Sequence, residues 1–240
     1  SSVLAFPQGR DHRLHTDCSL ILAQRPAGAA GEDPRLFEAL LRVRQHAASL
    51  EVCQADVASA DEMERVVSGA EARRGRIDGV IHAAAVEAKA LIASRDASVE
   101  PLEFRPKVAG TLVLDRLFRS RPLDFLVLCS SITAVVGGPG QVGYCGANAF
   151  LDAFACARSR ERDDLTVSIN WGRWQGIGLA RDFESWHQSR TGEALVGGMT
   201  IEDGLEALRR ILHYRVGPRV AVMTGEWRPN RRAPSPVADR

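Results

Sequence analysis

The stretch 126–154, LVLCSSITAVVGGPGQVGYCGANAFLDAF, combines three local patterns that decide the fold of this chain. Its first residues are an apolar run, too short for a helix and rich in branched side chains. This run predicts a buried parallel strand that ends at Ser131. The Gly- and Pro-rich residues 137–143 predict a loop. From Tyr144 to about residue 160 the apolar positions recur at helical spacing, with Asn148 one turn after Tyr144 on the same face.

These three elements place polar side chains at one edge of a sheet. In an open parallel sheet, ligands bind in the crevice outside the carboxyl ends of the strands. Ser131 closes a predicted strand, and Tyr144 opens the helix that follows it. The sequence therefore predicts that both side chains reach the same crevice.

The spacing of Ser131, Tyr144 and Asn148 resembles the active site of short-chain dehydrogenase/reductases. In most of that superfamily the residue four positions after the tyrosine is a lysine, whereas here it is Asn148 and the lysine lies upstream, as Lys107. This exchange is characteristic of the ketoreductase domains of modular polyketide synthases and of animal-type fatty acid synthases. The segments GVIHAA (79–84) and INWG (169–172) strengthen the resemblance, which covers residues 19–226.

The resemblance implies an α/β fold, a Rossmann-like doubly wound parallel sheet with helices on both faces. It also implies NADPH-dependent reduction of a β-ketoacyl thioester, carried by an acyl carrier protein, to the β-hydroxyacyl form. The implied catalytic residues are Lys107, Ser131, Tyr144 and Asn148. An isolated tyrosine has a pKa of about 10, and a neighbouring ammonium favours the phenolate. Lys107 is thus expected to tune Tyr144, Ser131 to hold the substrate carbonyl, and Asn148 to position a water or Lys107 for proton relay.

The resemblance also implies six cofactor-binding positions: Arg25, Asp56, Val57, Ala83, Ala84 and Ala85. Arg25 follows a predicted strand, 19–24, where a basic residue faces the 2′-phosphate of NADPH; the alternative is an ordinary cation at a strand end. Asp56 is expected to accept a hydrogen bond from the adenine amino group, and the alternative is a helix-cap or turn aspartate. The three alanines end a predicted strand, 77–85, and allow the cofactor to approach the backbone.

Residues 1–18 depart from this family as an atypical first βα unit. The family opens with a strand, a Gly-rich turn and a helix, whose backbone N–H groups hold the pyrophosphate. Here a strand over 2–6 is followed by a segment with Gly9 as its single glycine. Deletion, degeneration and truncation each explain the departure. The alternative function is therefore a non-reducing structural domain that has lost cofactor binding, and a third reading is a stand-alone reductase of small ketones.

Composition excludes several other classes of protein. The formal charge of +1 and the scattered basic residues give no nucleic-acid footprint, and no apolar run reaches the length of a membrane span. Five cysteines without a CxxC pair predict reduced thiols in a cytoplasmic protein, and no pattern predicts a metal site. We expect a catalytic domain over 1–227 and a Pro/Arg-rich linker over 228–240, both cut from a larger synthase with further domains.

The remaining patterns predict the elements around this site. Further strands are predicted over 50–57, 165–171 and 219–223, and helices over 35–49, 61–74 and 107–119. Thr200 and Asp203 have the spacing of a helix capping box. Residues 181–195 are expected to form a substrate lid or a plain surface helix. His82 is expected to pack at a strand end, and the absence of a Leu-Asp-Asp motif at 87–89 leaves the alcohol configuration open.

Overall fold

The computed structural model describes residues 2–7, 18–24, 41, 43–45, 47–86, 92–94, 101–176, 184, 188–189, 192 and 197–225. The strands in these ranges are β1 (Ser2–Pro7), β2 (Cys18–Gln24), β3 (Ser49–Gln54), β4 (Gly79–His82), β5 (Phe125–Ser131), β6 (Leu165–Trp171) and β7 (Arg219–Val222). The α-helices are α1 (Ala60–Arg74), α2 (Gly110–Leu117), α3 (Thr133–Val136), α4 (Val142–Arg158) and α5 (Ile201–Tyr214). A 3-10 turn (Ile92–Ser94) and a turn of π-helix (Arg105–Ala109), called the π-turn below, complete them.

The strands form one seven-stranded sheet in the order β3-β2-β1-β4-β5-β6-β7. The pairs β2–β3, β4–β5, β5–β6 and β6–β7 are parallel. The order runs outward in both directions from the centre, between β1 and β4, as in doubly wound sheets that bind nucleotides. The predicted fold class, a Rossmann-like α/β sheet, is confirmed.

Strand β1 is the exception, because it runs antiparallel to both of its neighbours. Ser2 lies beside His82 and Ala5 beside Gly79, while Pro7 pairs with Cys18 on β2. Only residues 8–17 connect Pro7 to Cys18, whereas a crossover between parallel strands needs about a dozen residues or more. The short connection therefore reverses the strand. As a result, Pro7 lies at the amino edge of the parallel strands, opposite the edge that carries Ser131.

Apolar side chains on the two faces of the sheet build two cores. Alternation along β5 sends Leu126 and Leu128 into one core and Val127 into the other. The larger core also holds buried residues of α1, α2 and α4, among them Met63, Val113 and Leu151. The smaller core lies under α5, which contributes Ile211. Helices thus cover both faces, and the central strands are fixed from both sides.

Several element boundaries differ from the sequence prediction. Strand β4 is shorter than 77–85, and the predicted helix 107–119 is a π-turn followed by α2. Pro106 explains the second difference, since its ring and missing N–H disturb regular helical hydrogen bonding. The Thr200 capping box is confirmed, with the Thr200 side chain accepting from the Asp203 N–H at 3.1 Å. Most of the predicted helix 35–49 and of the predicted lid 181–195 lies outside the described residues. Arg25 and the predicted linker 228–240 lie wholly outside them.

Three expectations about composition concern the described residues. Cys53, Cys129, Cys145 and Cys156 are free thiols there. In the same ranges no cluster of His, Cys, Asp and Glu could hold a metal ion. None of the helices in the described part of the chain is both long enough and apolar enough to cross a membrane.

Candidate active site

The four predicted catalytic residues come from three elements of the fold. Ser131 is the last residue of β5, and Tyr144 and Asn148 lie in the first turns of α4. Lys107 lies in the π-turn, which packs against α4. Its Nζ atom is 5.8 Å from the centre of the Tyr144 ring and donates to the Cys129 carbonyl, two residues before Ser131, at 2.8 Å. The fold therefore brings together the lysine and the tyrosine that the sequence separates.

Lys107 is a buried cation, with 2% of its surface exposed. Burial lowers the pKa of Lys107 to about 8, and the nearby Cys129 and Asp152 oppose this shift only in part. An ammonium at this position interacts strongly with an adjacent phenol, because little water screens it. Lys107 is consequently placed to change its protonation within the range in which enzymes work.

Asn148 is fully buried, and one polar atom of its side chain lacks a hydrogen-bond partner among the described residues. Its Nδ2 donates to the Tyr144 carbonyl at 2.8 Å, one helical turn back. Its Oδ1 has no hydrogen-bond partner among the described residues. A buried carbonyl oxygen without a donor is costly, and such groups are normally satisfied by water or a ligand. The Asn148 Oδ1 atom therefore marks a place for a water or a bound polar group beside Tyr144.

The Ser131 hydroxyl is oriented by the turn that follows β5. Its oxygen accepts from the Thr133 N–H at 3.3 Å and from the Thr133 hydroxyl at 3.0 Å. Both bonds use Ser131 as the acceptor, so its own hydrogen remains for donation to a further oxygen. The serine is thus suited to hold a carbonyl oxygen.

Comparisons with known proteins identify the family of this chain. A family model described as the KR domain matches residues 15–176, more than half of the chain. The chain belongs to the KR domain family. These are the ketoreductase domains of polyketide synthases, enzymes of the short-chain dehydrogenase/reductase type.

Individual relatives show how much of each protein this ketoreductase domain covers. Polyketide synthase PksN of Bacillus subtilis (strain 168) is 29% identical over 215 residues, 88% of this chain but 4% of that protein. A mycocerosic acid synthase-like polyketide synthase of Mycobacterium tuberculosis (strain ATCC 25618 / H37Rv) is 34% identical over 180 residues. The match covers 75% of this chain and 8% of that protein. The crystal structure of a ketoreductase domain from the bacillaene assembly line matches with a TM-score of 0.68 and 28% identity, covering 85% of this chain and 48% of that one. The chain therefore spans a small part of the curated relatives.

A buried polar network lies beneath the predicted catalytic residues of this ketoreductase domain. The Asn170 amide donates to the Ser130 hydroxyl at 2.9 Å, to the Ser131 carbonyl at 3.2 Å and to an Asp152 carboxylate oxygen at 2.8 Å. The Ser168 hydroxyl donates to the other Asp152 oxygen at 2.6 Å, and Ser130 donates to the Asn148 carbonyl at 3.2 Å. These bonds join β5, β6 and α4, and so hold Ser131, Tyr144 and Asn148 in register.

Sequence reasoning missed this network. Asp152 continues the four-residue spacing of Tyr144 and Asn148 along α4, and Ser168 and Asn170 share one face of β6. Polar residues at buried positions of two adjacent elements could have revealed it. Their pairing, however, depends on which strand faces the helix.

The predicted cofactor residues are only partly described. Asp56 follows β3, where its side chain accepts from the Ala58 N–H at 3.0 Å and from Arg105 at 3.0 and 3.1 Å. The Ala58 contact is the turn contact that formed the alternative for Asp56. The Val57 side chain is buried, Ala83 is exposed, Ala84 is buried and Ala85 is half-buried, in the turns after β3 and β4. The roles of these positions in cofactor binding stay predictions.

The phosphate end of the site depends on β1. In a doubly wound sheet the first strand delivers its turn to the carboxyl edge, where the pyrophosphate meets a helix N-terminus. Here the reversed β1 delivers Pro7 to the amino edge, and Ser2 lies beside His82 at the carboxyl edge. The described residues thus fit a cofactor at the Lys107–Tyr144 end, whereas β1 does not carry a phosphate turn to the same edge.

Proposed function

We propose that this ketoreductase domain reduces the β-keto group of an acyl thioester to a β-hydroxyl group, with NADPH as the reductant. The observation that supports this proposal best is the contact between Lys107 and Tyr144. A buried ammonium beside a tyrosine, with an orphan Asn148 oxygen one turn away, is suited to supplying a proton. A structural site would not need a buried, unpaired amide oxygen one helical turn from a tyrosine that a buried cation contacts.

In the proposed reaction residues of this chain deliver the proton, and NADPH leaves as NADP+. NADPH, when bound, supplies a hydride to the carbonyl carbon of the substrate. Ser131 donates a hydrogen bond to the carbonyl oxygen, which stabilises the negative charge that develops there. Tyr144 donates its proton to that oxygen, and the product is the alcohol. Lys107 stabilises the phenolate that remains, and a water held by the Asn148 Oδ1 atom relays a proton from the solvent to it.

The substrate and partners are proposed from the relatives. Those relatives are multidomain polyketide synthases, in which a ketoreductase domain is one part. We therefore propose a β-ketoacyl group delivered by an acyl carrier protein, with further synthase domains as neighbours and a cytoplasmic setting. Arg25, Asp56, Val57 and Ala83–Ala85 are the positions we propose for binding NADPH.

The direction of β1 favours a second candidate function. A domain that retains Lys107 and Tyr144 but lacks a phosphate turn at the carboxyl edge would bind NADPH weakly. Such a domain would serve as a non-reducing, structural part of a synthase. The two candidates share a fold and differ in cofactor binding.

An assay with NADPH and a β-ketoacyl thioester separates the two candidates. NADPH is titrated from the micromolar to the millimolar range, and its oxidation is followed with a free thioester and with the same group on an acyl carrier protein. Reduction at any NADPH concentration supports the reductase. Absence of both binding and reduction throughout the titration supports the structural domain. Reduction of the free thioester alone would contradict the carrier-protein substrate.

A further inference from the structure

Lys107 lies in the one stretch of π-helix in the described part of the chain. The Gly110 N–H donates to the Arg105 carbonyl, five residues back. In a regular α-helix the same N–H would donate to the Pro106 carbonyl, four residues back. The π-turn therefore removes the usual donor from the Pro106 carbonyl. Since Pro106 is buried, this oxygen needs another donor.

His82, the last residue of β4, supplies that donor. Its Nε2 lies 3.1 Å from the Pro106 carbonyl oxygen, and its side chain is 1% exposed. Because a carbonyl oxygen only accepts, the hydrogen is on Nε2. The close approach of Gly110 fixes the ring further, since a Cβ atom there would lie 3.5 Å from His82 Cε1 and 2.8 Å from Val57 Cγ1. Burial, together with the Lys107 charge, lowers the pKa of His82 to about 3, so the ring is neutral.

We propose that His82 is a positioning residue for Lys107: by bonding the Pro106 carbonyl it holds the π-turn, and the π-turn keeps the Lys107 ammonium between Cys129 and Tyr144. The contribution of His82 to catalysis rests on the function proposed above. Its contribution to the position of Lys107 does not. Without the His82 bond the Pro106 carbonyl is best satisfied by the Gly110 N–H, which converts the π-turn to regular helix. Lys107 would then rotate relative to β5 and leave its buried position.

Lys107 can be observed directly, because the chain contains only two lysines, Lys89 and Lys107. A Lys89→Arg background leaves Lys107 as the single lysine, and NMR of isotopically labelled lysine follows its titration in the whole chain without any turnover. The charged or titratable groups that face Lys107 are His82 on β4, Cys129 on β5, and Tyr144 and Asp152 on α4. Replacing the neutral His82 changes none of these charges. A shift in the Lys107 titration would therefore report a change in position.

In this background Lys107 is expected to titrate at about 8. His82→Phe keeps a flat ring and removes the hydrogen-bond donor. The pKa of Lys107 should then rise by about one unit or more, because the ammonium becomes more exposed to water. His82→Gln restores an N–H donor of similar reach and should titrate close to the parent chain. His213→Phe, the same substitution at an exposed position of α5, should leave the titration unchanged. If the chain is active, kcat should fall about tenfold in His82→Phe and recover in His82→Gln.

Two results would overturn the proposal. One is a folded His82→Phe chain in which Lys107 titrates as in the parent. The other is a parent chain in which nitrogen NMR finds the His82 hydrogen on Nδ1. If His82→Phe does not fold, this measurement and the titration of Lys107 in His82→Gln still test the proposal. A chain that reduces no thioester but shows the His82-dependent shift would disprove the proposed function and leave the positioning role intact.

Discussion

The Nζ atom of Lys107 lies 5.8 Å from the centre of the Tyr144 ring, and the backbone carbonyl of Cys129 holds it there. This relationship connects the π-turn, the end of β5 and the start of α4. Residues from three separate elements therefore meet in one site.

Tyr144→Phe should remove nearly all thioester reduction while the fold persists. The phenyl ring keeps its contact with Lys107, but it has no proton to donate, so kcat should fall by about a hundredfold or more. The chain contains two tyrosines, and Tyr214→Phe, at a side chain exposed on α5, is the matched control. Steady-state kinetics and circular dichroism of both variants provide the test. Full turnover by a folded Tyr144→Phe chain would refute the role of Tyr144.

The pH profile of the reaction should depend on Lys107. Because the pKa of Lys107 is about 8, kcat should fall as the pH rises through that value and the ammonium is lost. Lys107→Met should lower the rate and move the basic limb upward. Lys107→Arg stays charged, so it should retain part of the rate and also lose the limb near pH 8. An unchanged rate and profile in Lys107→Met would exclude Lys107 from the reaction.

Lys107→Met should make the domain more stable at pH 7. The pKa of Lys107 is lowered from 10.5 to about 8 on folding, so burying its charge costs on the order of 3 kcal/mol below pH 8. Loss of the Lys107 hydrogen bond to Cys129 lowers the free energy of unfolding by about 1 kcal/mol. The net gain in stability is therefore roughly 2 kcal/mol. The cost fades as the pH rises from about 8 towards 10.5, and the gain should fade with it.

Urea unfolding of the parent chain and of Lys107→Met at pH 7 and about pH 10 measures this difference. The parent should gain stability relative to the variant as the pH rises, because its unfolded state holds the Lys107 proton longer than its folded state. A variant that is less stable than the parent at pH 7 would contradict the assigned burial cost.

Arg25→Ala should weaken NADPH more than NADH. A 2′-phosphate facing Arg25 would accept charge-assisted hydrogen bonds, and their loss should cost about 1.5–3 kcal/mol for NADPH alone. Arg44→Ala, at an exposed position, is the control. Calorimetric titrations with both cofactors compare the variants. An equal loss for NADPH and NADH would assign Arg25 to an ordinary strand end.

NADPH should bind weakly to the chain as it stands. Loss of two or three charge-assisted bonds from a missing phosphate turn should weaken binding by a factor on the order of a thousand. Placing the Gly-rich strand–turn–helix of a related ketoreductase before Cys18 should restore binding. The same insert with its glycines replaced by valine is the control, since valine blocks the approach of the phosphates. Micromolar binding by the unaltered chain would show that another element holds the phosphates.

The sequence alone determined the parts of the site that depend on local periodicity. The apolar run before Ser131, the Gly- and Pro-rich loop and the four-residue spacing of Tyr144 and Asn148 each have a local cause. The structure has the corresponding strand, loop and helix, although the helix begins at Val142, two residues earlier than predicted. The capping box at Thr200 is equally local, because its two hydrogen bonds join residues three apart. Such patterns can be predicted from the sequence because backbone geometry alone sets their spacing.

Only the tertiary structure decided how these pieces meet. The direction of β1 followed from which neighbours it pairs with, and the π-turn at Pro106 exists beside a donor, His82, that comes from another strand. The Asp152–Asn170 pair required α4 to lie over β6. Burial of Lys107 likewise depends on packing between elements far apart in the chain. Desolvation and long-range hydrogen bonding have no local signature in sequence, and they set the charge and position of the groups proposed to react.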